Sequence, residues 1–159
     1  MDENRSSQCS QRELDALLHA RVIYLATVRK DGNQSKAARL WFTTTSDRTI
    51  LIQSGHGAWH TQRIRRGSPV IVWIGSLRGF AFIGTAELSD DPRVIEQIVK
   101  DFRRKYLMAR LGFHRPTTSS FERGDRLAIK VTLCRVLPDG FMSQPGAPAP
   151  SVAGAAEVD

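Results

Sequence analysis

The segment TILIQSGHGAWHTQRIRRGSP, residues 49–69, reads as a strand, a glycine turn and the start of a helix. Ile50 and Ile52 alternate along it as in a half-buried strand, Gly55 and Gly57 break the run, and a short basic segment follows until Gly67 and Pro69. Such a junction leaves backbone N–H groups free at the helix start, where the helix dipole adds partial positive charge. Together these make a seat for a phosphate. His60, Gln62, Arg63, Arg65 and Arg66 lie just past the turn and can add side-chain donors. A plainer reading stands beside this one: strand-to-helix connections favour glycine, and an Arg-rich helix commonly presents a solvated face. The segment is neither a Walker loop nor a dinucleotide fingerprint.

Upstream, Ser10 and Glu13 make a capping box, and Leu14, Leu17 and Leu18 follow at helical spacing, which predicts a short amphipathic helix over 11–20. Residues 22–28 are β-branched and apolar. The Asp31-Gly32 pair suits a tight turn into a returning strand, 35–44, and a second turn at 45–48 leads into the strand 49–54. Downstream, 70–74 is a continuous apolar run, hence a buried strand, and 80–88 is a long strand in which Gly84 marks a bulge or the close approach of another backbone. Asp91 as N-cap and Pro92 at the first helical position open a helix to about Leu111, with Val94, Ile95, Ile98, Val99, Phe102 and Tyr106 on its apolar face. Residues 112–123 read as a loop and 127–136 as a sixth strand. Hairpin-length connections between these strands predict an antiparallel barrel capped by helices rather than a doubly wound sheet.

A chain of 159 residues, 41% hydrophobic, suits one domain, here 11–142. Residues 1–10 are expected to be flexible, and 143–159, rich in Pro, Ala and Gly, to be disordered. The formal charge of +7, from 23 Lys plus Arg against 16 Asp plus Glu, favours anionic partners without choosing among them. The N-terminus has no apolar signal core and no run approaches the roughly 18 apolar residues of a membrane span, so a cytoplasmic protein is expected. Cys9 and Cys134 form no CxxC or metal spacing and are read as reduced thiols.

Three segments carry a family resemblance: YLATVRKDGNQSKAARLWF (24–42), TILIQSGHGAWHTQRIRRGSPVIVW (49–73) and GTAELSDDP (84–92). With them the chain resembles the pyridoxamine 5'-phosphate oxidase-like, FMN-binding split-barrel superfamily, from about Leu14 to Leu111. The resemblance implies a mainly β (α+β) fold, a six-stranded antiparallel split β-barrel with capping helices. It also implies a homodimer with a flavin-type cofactor in each groove between subunits. The cofactor-binding positions it points to are Arg39, Leu40 and Trp41 on one strand, with Gln53, Ser54, Trp59, His60 and Arg63 around the glycine junction. Many relatives carry lysine where this chain has His60, so a permanent cation is exchanged for a group with a reference pKa of about 6.5. The vitamin oxidase's own C-terminal arginine and histidine arrangement is not found, which leaves the substrate open.

On local chemistry, His60 is a phosphate ligand or a polar helix-face residue. His56 lines the site or sits in a loop, and His19 and His114 are surface residues. Trp41 packs against a flavin ring or fills the barrel, and Trp73 belongs to the core or a dimer interface. Arg39, a cation in an otherwise apolar strand, meets a phosphate or points outward. No triad, carboxylate pair or metal cluster is present in the pattern, so no catalytic residue is named. This suits flavin chemistry, in which the cofactor carries the hydride and the protein binds and orients. The function expected is an FMN-dependent oxidoreductase acting on a small molecule. The alternatives are a deazaflavin-dependent reductase, its acidic tail along Arg63, Arg65, Arg66 and Arg103 or Arg104, or a non-enzymatic flavin or haem carrier. Nucleic acid is disfavoured, because no aromatic-basic stripe accompanies the charge.

Overall fold

The computed structural model describes residues 10–46, 49–106 and 118–152. The capping box forms as predicted: the Ser10 hydroxyl accepts from the Glu13 N–H and the Glu13 carboxylate accepts from the Ser10 N–H, opening α1 (Gln11–His19). Among the described residues seven strands follow, β1 (Ile23–Thr27), β2 (Ala38–Leu40), β3 (Thr43–Ser46), β4 (Thr49–Gly55), β5 (Val70–Ile74), β6 (Ala81–Ser89) and β7 (Arg126–Val136). They form one sheet in the order β2-β1-β5-β6-β7-β4-β3, with every pairing antiparallel. The helices α2 (Trp59–Arg65), α3 (Pro92–Lys105) and α4 (Thr118–Glu122) complete the split barrel.

The seventh strand corrects the expected six. Residues 35–44 were expected to run as one strand, yet the chain breaks at Trp41-Phe42, and its halves, β2 and β3, lie on opposite edges of the sheet. Phe42 is fully buried and its backbone has no strand neighbour there. Its N–H donates to the Tyr106 hydroxyl at 2.9 Å, and its carbonyl accepts from Lys105 Nζ at 3.1 Å. The same hydroxyl can donate to the carbonyl of Phe42 (2.9 Å) or Arg21 (2.8 Å). The end of α3 thus satisfies the backbone polar groups that a continuous strand would have given to a neighbour.

Both readings of Gly84 hold. The β6–β7 register shifts between Ile83 and Gly84, and a Cβ on Gly84 would lie 2.2 Å from the Thr132 carbonyl oxygen. α3 opens on Asp91 and Pro92 as predicted, and its described part ends at Tyr106; the expected continuation to Leu111 lies outside the described residues. The expected loop 112–123 contains α4, which seats Phe121 against α3.

The unbroken apolar run of β5 reflects two buried faces. Val70, Val72 and Ile74 point into the barrel with Leu25, Phe42, Ile52, Phe82 and Ile129, while Ile71 and Trp73 join Ala26, Ala81 and Ile83 on the outer face. Trp73, which the sequence left between core and interface, is covered by its own chain: its ring stacks on Phe141 at 6.1 Å and its Nε1 donates to the Phe141 carbonyl at 3.0 Å.

The C-terminal segment departs from the expected disorder over 143–152. Gln144, Pro145, Gly146 and Ala147 form a turn closed by the Ala147 N–H on the Gln144 carbonyl at 2.9 Å, with Gly146 at φ +88°. That is Pro and Gly at the two central positions of a type II turn. Beyond it, Pro148 bridges Asn33 in the β1–β2 connection.

Candidate functional site

β4 delivers Ser54 and Gly55 to the glycine turn, from which α2 departs with Ala58 as an N-cap that makes no side-chain hydrogen bond. Helix geometry leaves the first-turn N–H groups of α2 without intrahelical partners. Ser54 is buried and lies behind His60, with its Oγ 2.6 Å from His60 Nε2 and accepting from Thr61 Oγ1 at 3.0 Å. This contact fixes the imidazole ring. Burial, reinforced by the nearby Arg63 guanidinium, pushes the His60 pKa below its ordinary value of 6.5, which favours the neutral ring. Its site charge must therefore come from elsewhere.

Arg63, one turn further along α2, supplies it. Its Nη1 donates to Thr27 Oγ1 at 3.3 Å, Thr27 lies 3.1 Å from Ser35 Oγ, and the guanidinium sits 5.9 Å from the centroid of the Trp59 ring. Trp59 is 72% exposed and presents its indole to a cleft. Trp59, His60 and Arg63 line this cleft, of about 860 Å³, with Arg29, Lys36, the small residues Ala37, Ala38 and Ala58, and Pro145 and Gly146 from the C-terminal segment. Among the described residues three cations, Arg29, Lys36 and Arg63, and no carboxylate line it. Arg29 also pairs with Asp31 at 3.1 Å, in a solvent-exposed contact.

The remaining expected site residues lie elsewhere. Arg39, Leu40, Trp41 and Gln53 line a second cleft of about 280 Å³ with Arg126. There Trp41 stacks face to face on Tyr106, centroids 4.4 Å apart, and the buried Oε1 of Gln53 has no hydrogen-bond partner among the described residues. The eight residues thus divide into two groups, with Ser54 supporting the first from behind. A third cleft, about 360 Å³, continues past Trp59 and Arg63 and is lined also by Arg29, Lys30, Gln62 and Arg66. His56 is exposed in the turn, the exposed His19 ring contacts the Asp15 carbonyl, and His114 lies outside the described residues.

Arg29, Lys36, Pro145 and Gly146, and Gln34, which also lines the main cleft, were not foreseen as site residues. The Asp31-Gly32 turn was read only for its shape, although the cations before it, Arg29 and Lys30, were visible in the sequence. Among the described residues no cluster of three His, Cys, Asp or Glu side chains could hold a metal, and no helix is long and apolar enough to cross a membrane.

The sequence profile of pyridoxamine 5'-phosphate oxidase matches residues 10–137. The chain belongs to the pyridoxamine 5'-phosphate oxidase family. Members of this family commonly bind flavin. Solved structures agree on the fold. A Listeria innocua protein provisionally named a pyridoxamine 5'-phosphate oxidase is 23% identical, with TM-score 0.57, covering 79% of this chain and 95% of its own. A conserved hypothetical protein from Mycobacterium tuberculosis is 18% identical, with TM-score 0.59 and coverages of 92% and 98%. General stress protein 26 from Bacillus anthracis is 16% identical, with TM-score 0.54 and coverages of 77% and 92%. No curated protein matches this chain in sequence.

Proposed function

We propose that this chain binds FMN in the main cleft and serves as a flavin-dependent oxidoreductase for a small molecule. The carrying observation is the cleft itself: three cations, no acid, an exposed indole and a wall of alanines, on a fold whose family commonly binds flavin. Arg63, Arg29 and Lys36 would hold the phosphate, since guanidinium and ammonium donors meet its charge and its oxygens together. Trp59 offers an apolar face, and Ala37, Ala38 and Ala58 leave room beside it. His60, fixed by Ser54, contributes a hydrogen bond. The bound flavin would supply the hydride transfer, and the chain's residues bind and orient. Homodimerisation, with each groove completed by the partner, is part of this proposal; sedimentation should give twice the 17.8 kDa chain mass.

One observation favours a second reading. The third cleft extends the basic lining through Lys30 and Arg66, which suits a deazaflavin with an acidic tail. Arg103 and Arg104 do not belong to that extension, because α3 packs on β3, β4 and β7 while α2 lies against β1 and β6.

The test is an absorbance spectrum of the purified chain after incubation with FMN and desalting, followed by fluorescence titrations with FMN, riboflavin and an oligoglutamyl deazaflavin. Retained flavin and a preference for FMN over riboflavin of about tenfold or more, the scale of one charge-assisted contact set, are expected. A colourless protein indifferent to the phosphate would overturn the proposal. Preference for the deazaflavin, abolished in Lys30→Ala, would replace FMN with it.

A further inference from the structure

We infer that residues 143–152 are a built part of the ligand-binding cleft, held in place by Gln34 as a latch. Gln34 lies in the β1–β2 connection and is 3% exposed, a degree of burial that a primary amide tolerates only when its groups are satisfied. Both ends of its side chain are used, and both on the C-terminal segment: Oε1 accepts from the Gln144 N–H at 3.3 Å and Nε2 donates to the Pro148 carbonyl at 3.2 Å. Its backbone does the same, donating to Ala147 at 2.8 Å and accepting from Gly146 at 2.9 Å. Four hydrogen bonds from one residue thus bracket the Pro145-Gly146 turn. A fifth, from the Ala149 N–H to the Gly32 carbonyl at 3.1 Å, continues the pairing.

The segment is anchored on both sides of this latch. Before it, Phe141 stacks on Trp73; after it, Val152 packs on the outer cluster and Arg135 donates to the Ser151 carbonyl. Between the anchors, Pro145 and Gly146 line the same cleft as Trp59, His60 and Arg63. A wall fixed before the ligand arrives costs no ordering at binding, so its loss acts on affinity through the dissociation rate. The strap therefore sets how tightly, and how long, a ligand is held.

This inference rests on the flavin reading of the main cleft for its probe, and the experiment separates the two. FMN affinity and dissociation rate are measured on the full chain, on a chain ending at Met142 and on Gln34→Ala, with near-ultraviolet circular dichroism as the folding control. Both variants should bind FMN about tenfold or more weakly than the full chain, mainly through faster release. Gln34→Ala keeps the test valid where truncation unfolds the chain. A ligand-free readout accompanies it: the Gln34, Gly146 and Ala149 amides should be protected from hydrogen exchange in the full chain and lose protection in Gln34→Ala. Equal FMN affinity in all three proteins, or unprotected amides in the full chain, would overturn the strap and leave the flavin site standing. No FMN binding by a full chain with protected amides would overturn the flavin reading and, with it, the strap's role in that site.

Discussion

Tyr106→Phe is the sharpest test of how the barrel is split. The change removes one oxygen and leaves the ring, so the stack on Trp41 at 4.4 Å and the edge contact with Phe102 at 5.3 Å stay in place. What is lost is the acceptor of the Phe42 N–H and a donor shared between the Phe42 and Arg21 carbonyls. The two carbonyls are cushioned: Phe42 keeps Lys105 Nζ at 3.1 Å, and Arg21 is an exposed residue that water can reach. The Phe42 N–H, inside a fully buried residue, is not. An orphaned buried donor costs about 1–3 kcal/mol. For a chain of this length that corresponds to a melting temperature lower by about 2–12 °C, and to a urea midpoint lower by about 1 M at the centre of the range. Urea unfolding followed by tryptophan fluorescence measures it directly. A loss below about 0.3 kcal/mol, within the scatter of ordinary surface substitutions, would mean that the hydroxyl does not hold the break open.

Further expectations follow from the same structure. Burial lowers the Lys105 pKa to about 8 against the pull of Asp101, and burial raises that of Tyr106 to about 12. Between pH 8 and 10.5 the unfolded chain binds a proton that folded Lys105 has released, so stability rises with pH; between 10.0 and 12 the folded chain keeps the Tyr106 proton that the unfolded chain has lost, so stability falls. Unfolding measured from pH 7 to 11 should therefore crest near pH 10, and Lys105→Met should remove the climb. Gly84→Ala should destabilise by about 1–3 kcal/mol or more, because its Cβ meets a backbone carbonyl, whereas Gly55→Ala, with open space around it, should change little; equal melting temperatures for the two would contradict the close approach. Arg63→Ala should weaken FMN binding by about 10- to 100-fold in a fluorescence titration, and unchanged affinity would remove Arg63 from the phosphate.

Much of the fold was legible because local chemistry and tertiary role agree in the relevant stretches. The capping box at Ser10, the Asp91-Pro92 helix start and the run of β5 each carry their structure in a few residues. The break at Trp41-Phe42 was not, since nothing local distinguishes it from a strand; its cause, Tyr106, lies 64 residues away. The strap was missed for a different reason. Gln144-Pro145-Gly146-Ala147 is a type II turn signature, but a composition rich in Pro, Ala and Gly hid it, and the buried amide that latches it lies 110 residues upstream at Gln34. The glycine junction itself was readable in the sequence, as were His60 and Arg63 beside it. That burial favours the neutral form of His60, and that Arg39 through Trp41 line a separate cleft, depend on contacts between residues far apart in sequence that no spacing encodes.

The position of β7 has a consequence for synthesis. Among the described residues β7 is the last strand in chain order, yet it lies inside the sheet, between β6 and β4. Until residues 126–136 leave the ribosome, the nascent chain can assemble two separate pieces, the β2-β1-β5-β6 ribbon and the β3–β4 hairpin, each with one more naked edge, β6 or β4, than it shows in the finished sheet. β7 covers the β6 and β4 edges at once. A chain stopped at Gly124 is therefore expected to be degraded in a pulse-proteolysis assay that spares the full chain, and to aggregate through those edges at translation-level concentrations.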